Sequence, residues 1–347
     1  MKKKINICYI IDALLLAFFI FYPFFGSILR ITMVGRIMCL IMLAFSLDLT
    51  WGYGGLINMG QGVFFGLGGY IAAISLVSRE GVPMYMSSLG VTELPFVAKL
   101  LGNNFSYNFF AIVVPGLLAA VLGWFIFSSK IKGIYFSLIT MALCEVFELL
   151  IQAGQKFTGG TNGIGGVPKL YLGDGSSLKL KQMYYLVLVC LVLVYLLCRF
   201  ITNSKFGKIT KAVKNNEARV DFLGYNSANI KIVLFTISGM IAGFAGSLYA
   251  PMNGMISATD AGLTFSTTMI IWLAIGGRGN LTGAAVGCLL VNLGKSFLSE
   301  LFTDSWQFIL GVILVLVVFF MPEGIVGKVI KLLGNRKRAK KEATAHE

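Results

Sequence analysis

The feature that most constrains this chain is a succession of long apolar stretches separated by short polar segments. A helix needs about 20 apolar residues to cross a bilayer, and only helices and closed barrels satisfy their backbone hydrogen bonds there. About ten such stretches lie at residues 6–29, 33–50, 62–78, 109–128, 133–152, 183–200, 230–250, 266–277, 281–299 and 307–326. The sequence therefore predicts an all-α polytopic membrane protein in which some spans are short or broken.

The basic residues predict how these spans are oriented. The formal net charge is +14, but the 29 lysines and arginines lie in short loops and at both ends, so no nucleic-acid partner is expected. If the N-terminus is cytoplasmic, 20 of these 29 residues fall on the cytoplasmic side. Both termini are therefore predicted to be cytoplasmic, and two halves of five spans would have opposite orientations, as in a 5+5 inverted repeat.

Candidates for catalysis, metal binding or ATP binding are lacking. The six cysteines lie in apolar segments without CxxC spacing, and His346, in the charged tail, is the single histidine. The run Asn292 to Ser296 imitates the end of a P-loop, but Leu289 stands where the motif requires its first glycine. We expect no enzyme and no cofactor in this chain, so energy for active transport would come from a partner or an ion gradient.

The chain is predicted to form one membrane domain at residues 1–327, followed by a basic cytoplasmic tail at 328–347 that suits anionic lipid. The loop at 153–182 is expected to be extracellular or periplasmic. Its glycine-rich run TGGTNGIGGVP predicts a structured mouth with four candidate residues, namely Gly159, Gly160, Asn162 and Gly163.

Residues 204–225, here called the basic segment, form a long charged stretch between two hydrophobic ones. Their apolar residues follow helical spacing and lysines occupy the other faces, which predicts a short amphipathic helix on the cytoplasmic side. Binding to lipid headgroups is the alternative to docking of a partner protein. The candidate contact residues are Phe206, Lys208, Ile209, Lys211, Val213, Glu217, Arg219, Phe222 and Leu223.

Two regions depart from simple spanning helices. Residues 48–70 contain eight glycines together with Asn58 and Gln61, which predicts broken helix lining a cavity or, alternatively, tight helix packing through Gly62 and Gly66. The stretch 266–277 is short and is followed by GGRGN, which predicts a discontinuous or tilted helix.

Carboxylates inside spans are candidates for a proton relay. Glu145 and Glu148 share one face of the fifth span with Gln152. The alternative is that both carboxylates are solvated or paired near the outer end of that span. Asp12 and Asp48 are expected near the membrane surfaces, without an assigned role.

The motifs together resemble the permeases of the branched-chain amino acid and urea family of ABC importers. The similarity is carried by the glycine-rich residues 51–70, by TGGTNGI, by SKFGK and EARVDFLGY of the basic segment, and by residues 270–287 and 301–327. The last two stretches are most similar to the C-type permease of the urea branch, whereas Glu145 and TGGTNGI are closer to the amino acid branch. Gln61 stands where the family has a histidine.

This resemblance implies a multi-pass component of a bacterial cell membrane importer. It would pair with a second, homologous permease subunit. Two ABC ATPase subunits, which hold ATP and Mg²⁺, would bind the basic segment. An extracytoplasmic binding protein would deliver the substrate. Urea is the first expectation for that substrate, a branched-chain or related amino acid is the alternative, and a proton-coupled transporter or channel is a third. The candidate path residues are Asn58, Gln61, Glu145, Thr267 and Thr268.

Overall fold

The computed structural model describes residues 2–87, 90, 93, 104–129, 131, 133–171, 177–301, 311–312 and 324–328. Its long helices and the two helices of the basic segment are α1 (Lys2–Phe25), α2 (Ile28–Leu47), α3 (Gln61–Val77), α4 (Asn104–Ser128), α5 (Ile134–Ala153), α6 (Leu180–Asn203), α7 (Lys205–Asn215), α8 (Glu217–Phe222), α9 (Ser227–Asn253), α10 (Leu263–Gly276) and α11 (Leu281–Leu301).

Eight helical segments in the described part are long and apolar enough to cross a membrane, and α3 is a shorter apolar helix. The prediction of an all-α polytopic membrane protein is confirmed. Nine of the expected spans coincide with these helices, although one of the eight segments reaches full length only by joining the turn Ala258–Asp260 to α10. The tenth span, 307–326, lies outside the described residues except for 311–312 and 324–326.

The helices divide into a buried centre and an apolar exterior. In α2 and α9 the most apolar window is 67% buried, whereas in α1, α4, α5 and α6 it is at most 33% buried. The outer helices expose large apolar side chains such as Phe25, Trp124, Leu149 and Phe200. In water, such an apolar surface would make the protein associate with other molecules. In a bilayer, the same surface suits contact with the hydrocarbon chains of the lipids. The central helix α9 packs against α2, α3 and α4.

The predicted break in the glycine-rich region is present. Helix α2 runs into a π-helical turn, Asp48–Tyr53, and non-helical backbone follows until α3 begins at Gln61. The alternative of tight packing also holds, because a Cβ atom added at Gly62 would overlap the Ser266 hydroxyl and one added at Gly66 would overlap Ala261. The glycine-rich region therefore interrupts the chain between α2 and α3, and it also lets α3 pack closely against the chain around Ala261 and Ser266.

The stretch predicted as a discontinuous or tilted helix is one 14-residue helix, α10. A tight turn at Gly277–Asn280 reverses the chain into α11, and Gly283 and Gly287 pack against Gly276. This turn, the π-helical turn and α7 lie together at one end of the bundle.

A two-stranded antiparallel ribbon lies at the other end of the bundle. It pairs β1 (Ile164–Gly165) with β2 (Met255–Ile256). Both Ile164 and Ile256 are fully buried, so the ribbon fastens the loop after α5 to the segment between α9 and α10.

Candidate functional site

The basic segment folds into two short helices, each capped by a polar side chain. The Ser204 hydroxyl accepts a hydrogen bond from Gly207 N–H (3.3 Å) at the start of α7. The Asn216 side chain accepts one from Arg219 N–H (3.0 Å) at the start of α8. Such caps satisfy backbone donors that a helix start leaves unpaired, and they fix where each helix begins. The predicted amphipathic helix is therefore present as α7, and a second short helix, α8, follows it.

The predicted contact residues of the basic segment divide between two faces. Val213 is buried and Phe206 packs against the main core, while Ile209 is half-buried. Lys208 and Arg219 are exposed. The most exposed apolar side chains stand at the end of α8, where Phe222 is 92% exposed and Leu223 is 68% exposed. Tyr225, half exposed just beyond them, was not among the predicted residues.

An ion pair attaches α8 to the membrane domain. The Lys231 ammonium of α9 lies 2.7 Å from Glu217 Oε1, and both side chains are largely covered. Ser227 also contributes, since its main-chain N–H donates to Asp221 Oδ1 at 3.0 Å and its hydroxyl donates to Glu217 Oε1 at the same distance. The acidic residues therefore hold α8 against the start of α9.

Two lysines of α7 attach the basic segment to the π-helical turn. The Lys214 ammonium donates to the main-chain oxygen of Gly52 (2.6 Å), and Lys211 Nζ lies 4.7 Å from the centre of the Tyr53 ring. Partial burial lowers the pKa of Lys211, and the charge of Lys214 lowers it further. The helix predicted to receive a partner is thus joined to the broken end of α2.

The π-helical turn is joined in turn to the turn between α10 and α11. Asp48 is fully buried, and its Oδ1 accepts a hydrogen bond from Gly279 N–H (2.7 Å). Gly279 has a φ of 73°, a backbone conformation that glycine adopts readily. An added Cβ at Gly52 would overlap both the Asp48 carboxylate and Gly279. Arg278 reinforces the contact, since its guanidinium lies 5.1 Å from the centre of the Trp51 ring.

Sequence reasoning gave Asp48 no role and so missed this junction. An acidic residue at the end of an apolar stretch usually marks a membrane surface. The available signal was the neighbouring glycine-rich stretch, because closely packed backbone can bury a carboxylate and supply main-chain donors to it.

The predicted path residues Asn58 and Gln61 lie together in a buried polar network. Gln61 Oε1 accepts a hydrogen bond from the Asn58 side chain, and Gln61 Nε2 donates to the hydroxyls of Ser46 (2.7 Å) and Ser238 (2.9 Å). All four side chains are fully buried. Asn58 Oδ1 also accepts from Gly60 N–H, which holds the non-helical backbone ahead of α3. In this conformation the two amides connect α2, α3 and α9.

Glu145 lies apart from this network. Its side chain is exposed on α5, whereas Glu148 is half-buried against Gly262 and accepts a hydrogen bond from Gln152 at 3.3 Å. Glu148 therefore has a hydrogen-bond partner, as one of the two alternatives expects, whereas Glu145 is exposed on an outer helix.

The predicted threonines lie on the first turns of α10. The hydroxyls of Thr267 and Thr268 both donate to the main-chain oxygen of Thr264, at 2.9 and 2.8 Å. Thr268 lines a cavity formed by α2, α9, α10, α11 and the turn before α10, and Thr267 is not part of the lining of that cavity. The five predicted path residues are therefore distributed over three places rather than one.

The glycines predicted to form a mouth do build a compact turn. Gly159, Gly160 and Gly163 have positive φ, and an added Cβ at Gly163 would overlap Ile256 of β2. Asn162 is exposed at the turn. The turn lies directly ahead of β1, at the end of the bundle opposite α7.

Comparison with known proteins identifies the family. Residues 29–318 match the family described as branched-chain amino acid transport system / permease component. The chain is 25% identical to the high-affinity branched-chain amino acid transport system permease protein LivM of Escherichia coli over 338 residues, which cover 90% of this chain and 73% of that protein. It is 26% identical to the permease protein BraD of Pseudomonas aeruginosa, covering 83% of this chain and 91% of that protein.

A second permease protein of the Escherichia coli system is also similar. LivH is 23% identical over 301 residues, which cover 83% of this chain and 91% of that protein. No solved structure is significantly similar to the chain. The family match covers most of the chain and agrees with its many apolar helices, and this chain therefore belongs to the branched-chain amino acid transport permease family, as a multi-pass protein of the inner membrane.

Proposed function

We propose that this chain is a membrane-spanning permease subunit of an ATP-driven ABC importer for branched-chain or related amino acids. It forms the translocation path with a second, homologous permease subunit. Two ABC ATPase subunits bind the basic segment, and an extracytoplasmic binding protein delivers the substrate. Membership of the family supports the permease role, and the similarity to both LivM and LivH supports a second permease subunit.

The observation that carries the ATPase-docking role is the exposed apolar end of α8. Phe222 and Leu223 stand beside basic side chains on a segment that is fixed to the membrane domain by Lys214 and Glu217. Large exposed apolar groups surrounded by polar ones are typical of protein interfaces. A rigidly attached helix would pass a displacement of its partner to the spans, which a flexible basic tail could not do.

Urea is the second candidate substrate, because residues 270–287 and 301–327 resemble the urea branch of the family. The similarities to LivM, BraD and LivH favour an amino acid over urea. A proton-coupled transporter using Glu145 and Glu148 is the remaining candidate, and the exposure of Glu145 gives it little support.

The test is ATPase activity and uptake in proteoliposomes that contain both permease subunits, the ATPases and the binding protein. We expect L-leucine, supplied with the binding protein, to stimulate ATP hydrolysis and its own uptake, and urea to do neither. The opposite response would assign the importer to urea. Uptake by this chain alone, driven by a pH gradient, would overturn the ABC assignment.

A second experiment tests the docking surface. Phe222→Ala, and separately the double charge reversal of the exposed Lys208 and Arg219 to Glu, should abolish co-purification of the ATPases while the permease pair stays assembled. Lys156→Glu is the matched control, because Lys156 is an exposed lysine of the loop at the opposite end of the bundle. Retention of the ATPases by both basic-segment variants would exclude this surface as their docking site.

A further inference from the structure

A charged cavity lies within the bundle, away from the basic segment. It has a volume of about 570 Å³ and is lined by α2, α9, α10, α11 and the turn that precedes α10. Pockets for small ligands commonly enclose about 300–1,000 Å³. Arg36 of its wall is twelve residues before Asp48 on α2, which places it about 18 Å along the helix from the π-helical turn. The cavity is therefore a separate feature from the coupling contacts.

The cavity combines charges of both signs with an apolar wall. Its ionisable lining residues are Arg36, Asp260 and Lys295, and Phe265 and Trp272 contribute apolar surface. Ionisable side chains within membrane-spanning segments are costly to bury, so they usually face a cavity with a function. Among the described lining residues, the two cations are suitable partners for a negative ligand group and the anion is a suitable partner for a positive one.

Hydrogen bonds hold the Arg36 and Asp260 side chains in place. Arg36 Nη1 donates to Asn253 Oδ1 at 3.0 Å, which fixes the guanidinium against the end of α9. Asp260 Oδ2 accepts from both the main-chain N–H and the hydroxyl of Ser257, at 2.9 and 2.8 Å. Preorganised charges of this kind reduce the cost of ordering a site when a ligand binds.

We propose that this cavity binds the head group of an α-amino acid on its way through the membrane domain. The carboxylate binds at Arg36 and Lys295, the ammonium binds at Asp260, and the aliphatic side chain lies against Phe265 and Trp272. This inference rests on the proposed function and adds a substrate site to it. Urea is neutral and has no separated charges, so it would gain little from this arrangement.

The direct test measures binding of radiolabelled L-leucine to the importer complex in nanodiscs, without the binding protein. Lys295→Gln and Arg36→Gln should each weaken binding about tenfold or more, because each removes one charged partner of the carboxylate. Arg36→Lys should recover part of the loss, since it restores the positive charge. Lys156→Gln is the control for the loss of one exposed positive charge outside the cavity and should leave binding unchanged.

Ligand analogues test the same site from the other side. L-leucine methyl ester lacks the carboxylate and 4-methylpentanoate lacks the ammonium, so both should compete about tenfold more weakly than leucine. The ester should discriminate less between wild type and Lys295→Gln than leucine does. Competition by the ester equal to that of leucine would overturn the carboxylate assignment.

The outcomes separate this inference from the proposed function. Suppose that leucine with the binding protein stimulates ATP hydrolysis. The cavity is then excluded as a substrate site if leucine does not bind the complex without the binding protein. It is also excluded if leucine binds well-folded Lys295→Gln and Asp260→Asn variants as tightly as it binds wild type. If wild-type complex is not stimulated at all by leucine with its binding protein, the proposed substrate fails first. Arg36→Gln also loses the hydrogen bond to Asn253, so size-exclusion profiles are needed to identify misfolding of that variant. Lys295 is exposed, and the binding result for Lys295→Gln is therefore the decisive one.

Discussion

The ammonium of Lys214 donates to the main-chain oxygen of Gly52 across the junction between the basic segment and the broken end of α2. Gly52 lies against Asp48 and Gly279, so one hydrogen bond joins α7 to a contact that already connects α2 with the turn before α11. A displacement of α7 therefore reaches three helices through a few short contacts. In the proposed importer, we therefore expect Lys214 to act as a positioning residue for energy coupling.

Replacing Lys214 by Met should uncouple transport from ATP hydrolysis. The variant loses a charge-assisted hydrogen bond worth about 1.5–3 kcal/mol, and we expect uptake to fall about tenfold or more while basal ATP hydrolysis of the complex is retained. Lys205→Met is the control, because Lys205 is an exposed lysine at the start of the same helix. Equal effects of the two substitutions on the ratio of uptake to hydrolysis would contradict the role of Lys214.

Gly52→Ala should destabilise the membrane domain. The added methyl group would overlap the Asp48 carboxylate and the Gly279 backbone, and overpacking of this kind costs about 1–3 kcal/mol. Gly294→Ala in α11 provides a matched control, since no atom lies within 4 Å of a Cβ added there and alanine favours helix by up to about 1 kcal/mol. Thermal unfolding in detergent should show a lower midpoint for Gly52→Ala only.

The pair Glu217 and Lys231 should contribute to stability by holding α8 in place. Glu217→Gln leaves the largely covered Lys231 ammonium without its ionised partner, and we expect a loss of about 2 kcal/mol in the free energy of unfolding. Exchange of the two charges should recover part of this loss. Arg219→Gln on the exposed side of α8 should change stability by less than about 0.5 kcal/mol. A double-mutant cycle without coupling would show that the ion pair is dispensable.

Gln61 should tolerate histidine better than leucine or glutamate. Histidine occupies this position in the family that the sequence resembles, and it keeps hydrogen-bonding capacity toward Asn58, Ser46 and Ser238. Leucine removes the network's acceptor and donor, at a cost of about 1–3 kcal/mol, and glutamate adds a buried charge without a donor for the serines. Uptake and unfolding midpoints should rank histidine first, and a leucine variant as stable as histidine would refute the ranking.

The spans and the basic segment could be predicted from the sequence because both depend on local patterns. Runs of apolar residues define α2 or α9 without knowledge of their neighbours, and the spacing of Phe206, Ile209 and Val213 defines one face of α7. The same reasoning indicated that Asn58 and Gln61 lie outside a simple spanning helix, because amide side chains in an apolar, glycine-rich region need hydrogen-bond partners.

The contacts between distant parts of the chain could not be predicted in this way. Asp48 meets Gly279, and Arg36 shares a cavity with Lys295, only because α2 packs beside the pair formed by α10 and α11. Nothing in the local sequence around either residue encodes that neighbour. The exposure of Glu145 was equally hidden, because helical spacing shows which residues share a face but not what that face meets.

The ribbon of β1 and β2 has a consequence for how the protein is made. Ile164 emerges from the ribosome well before Ile256, and α6 and α9 separate the two strands in the chain. The pairing can form only after both of those helices have inserted, so the ribbon is a late step of biogenesis. A nascent chain that stalled before Met255 would leave the buried face of Ile164 uncovered, a state that quality-control proteases could distinguish from the finished protein.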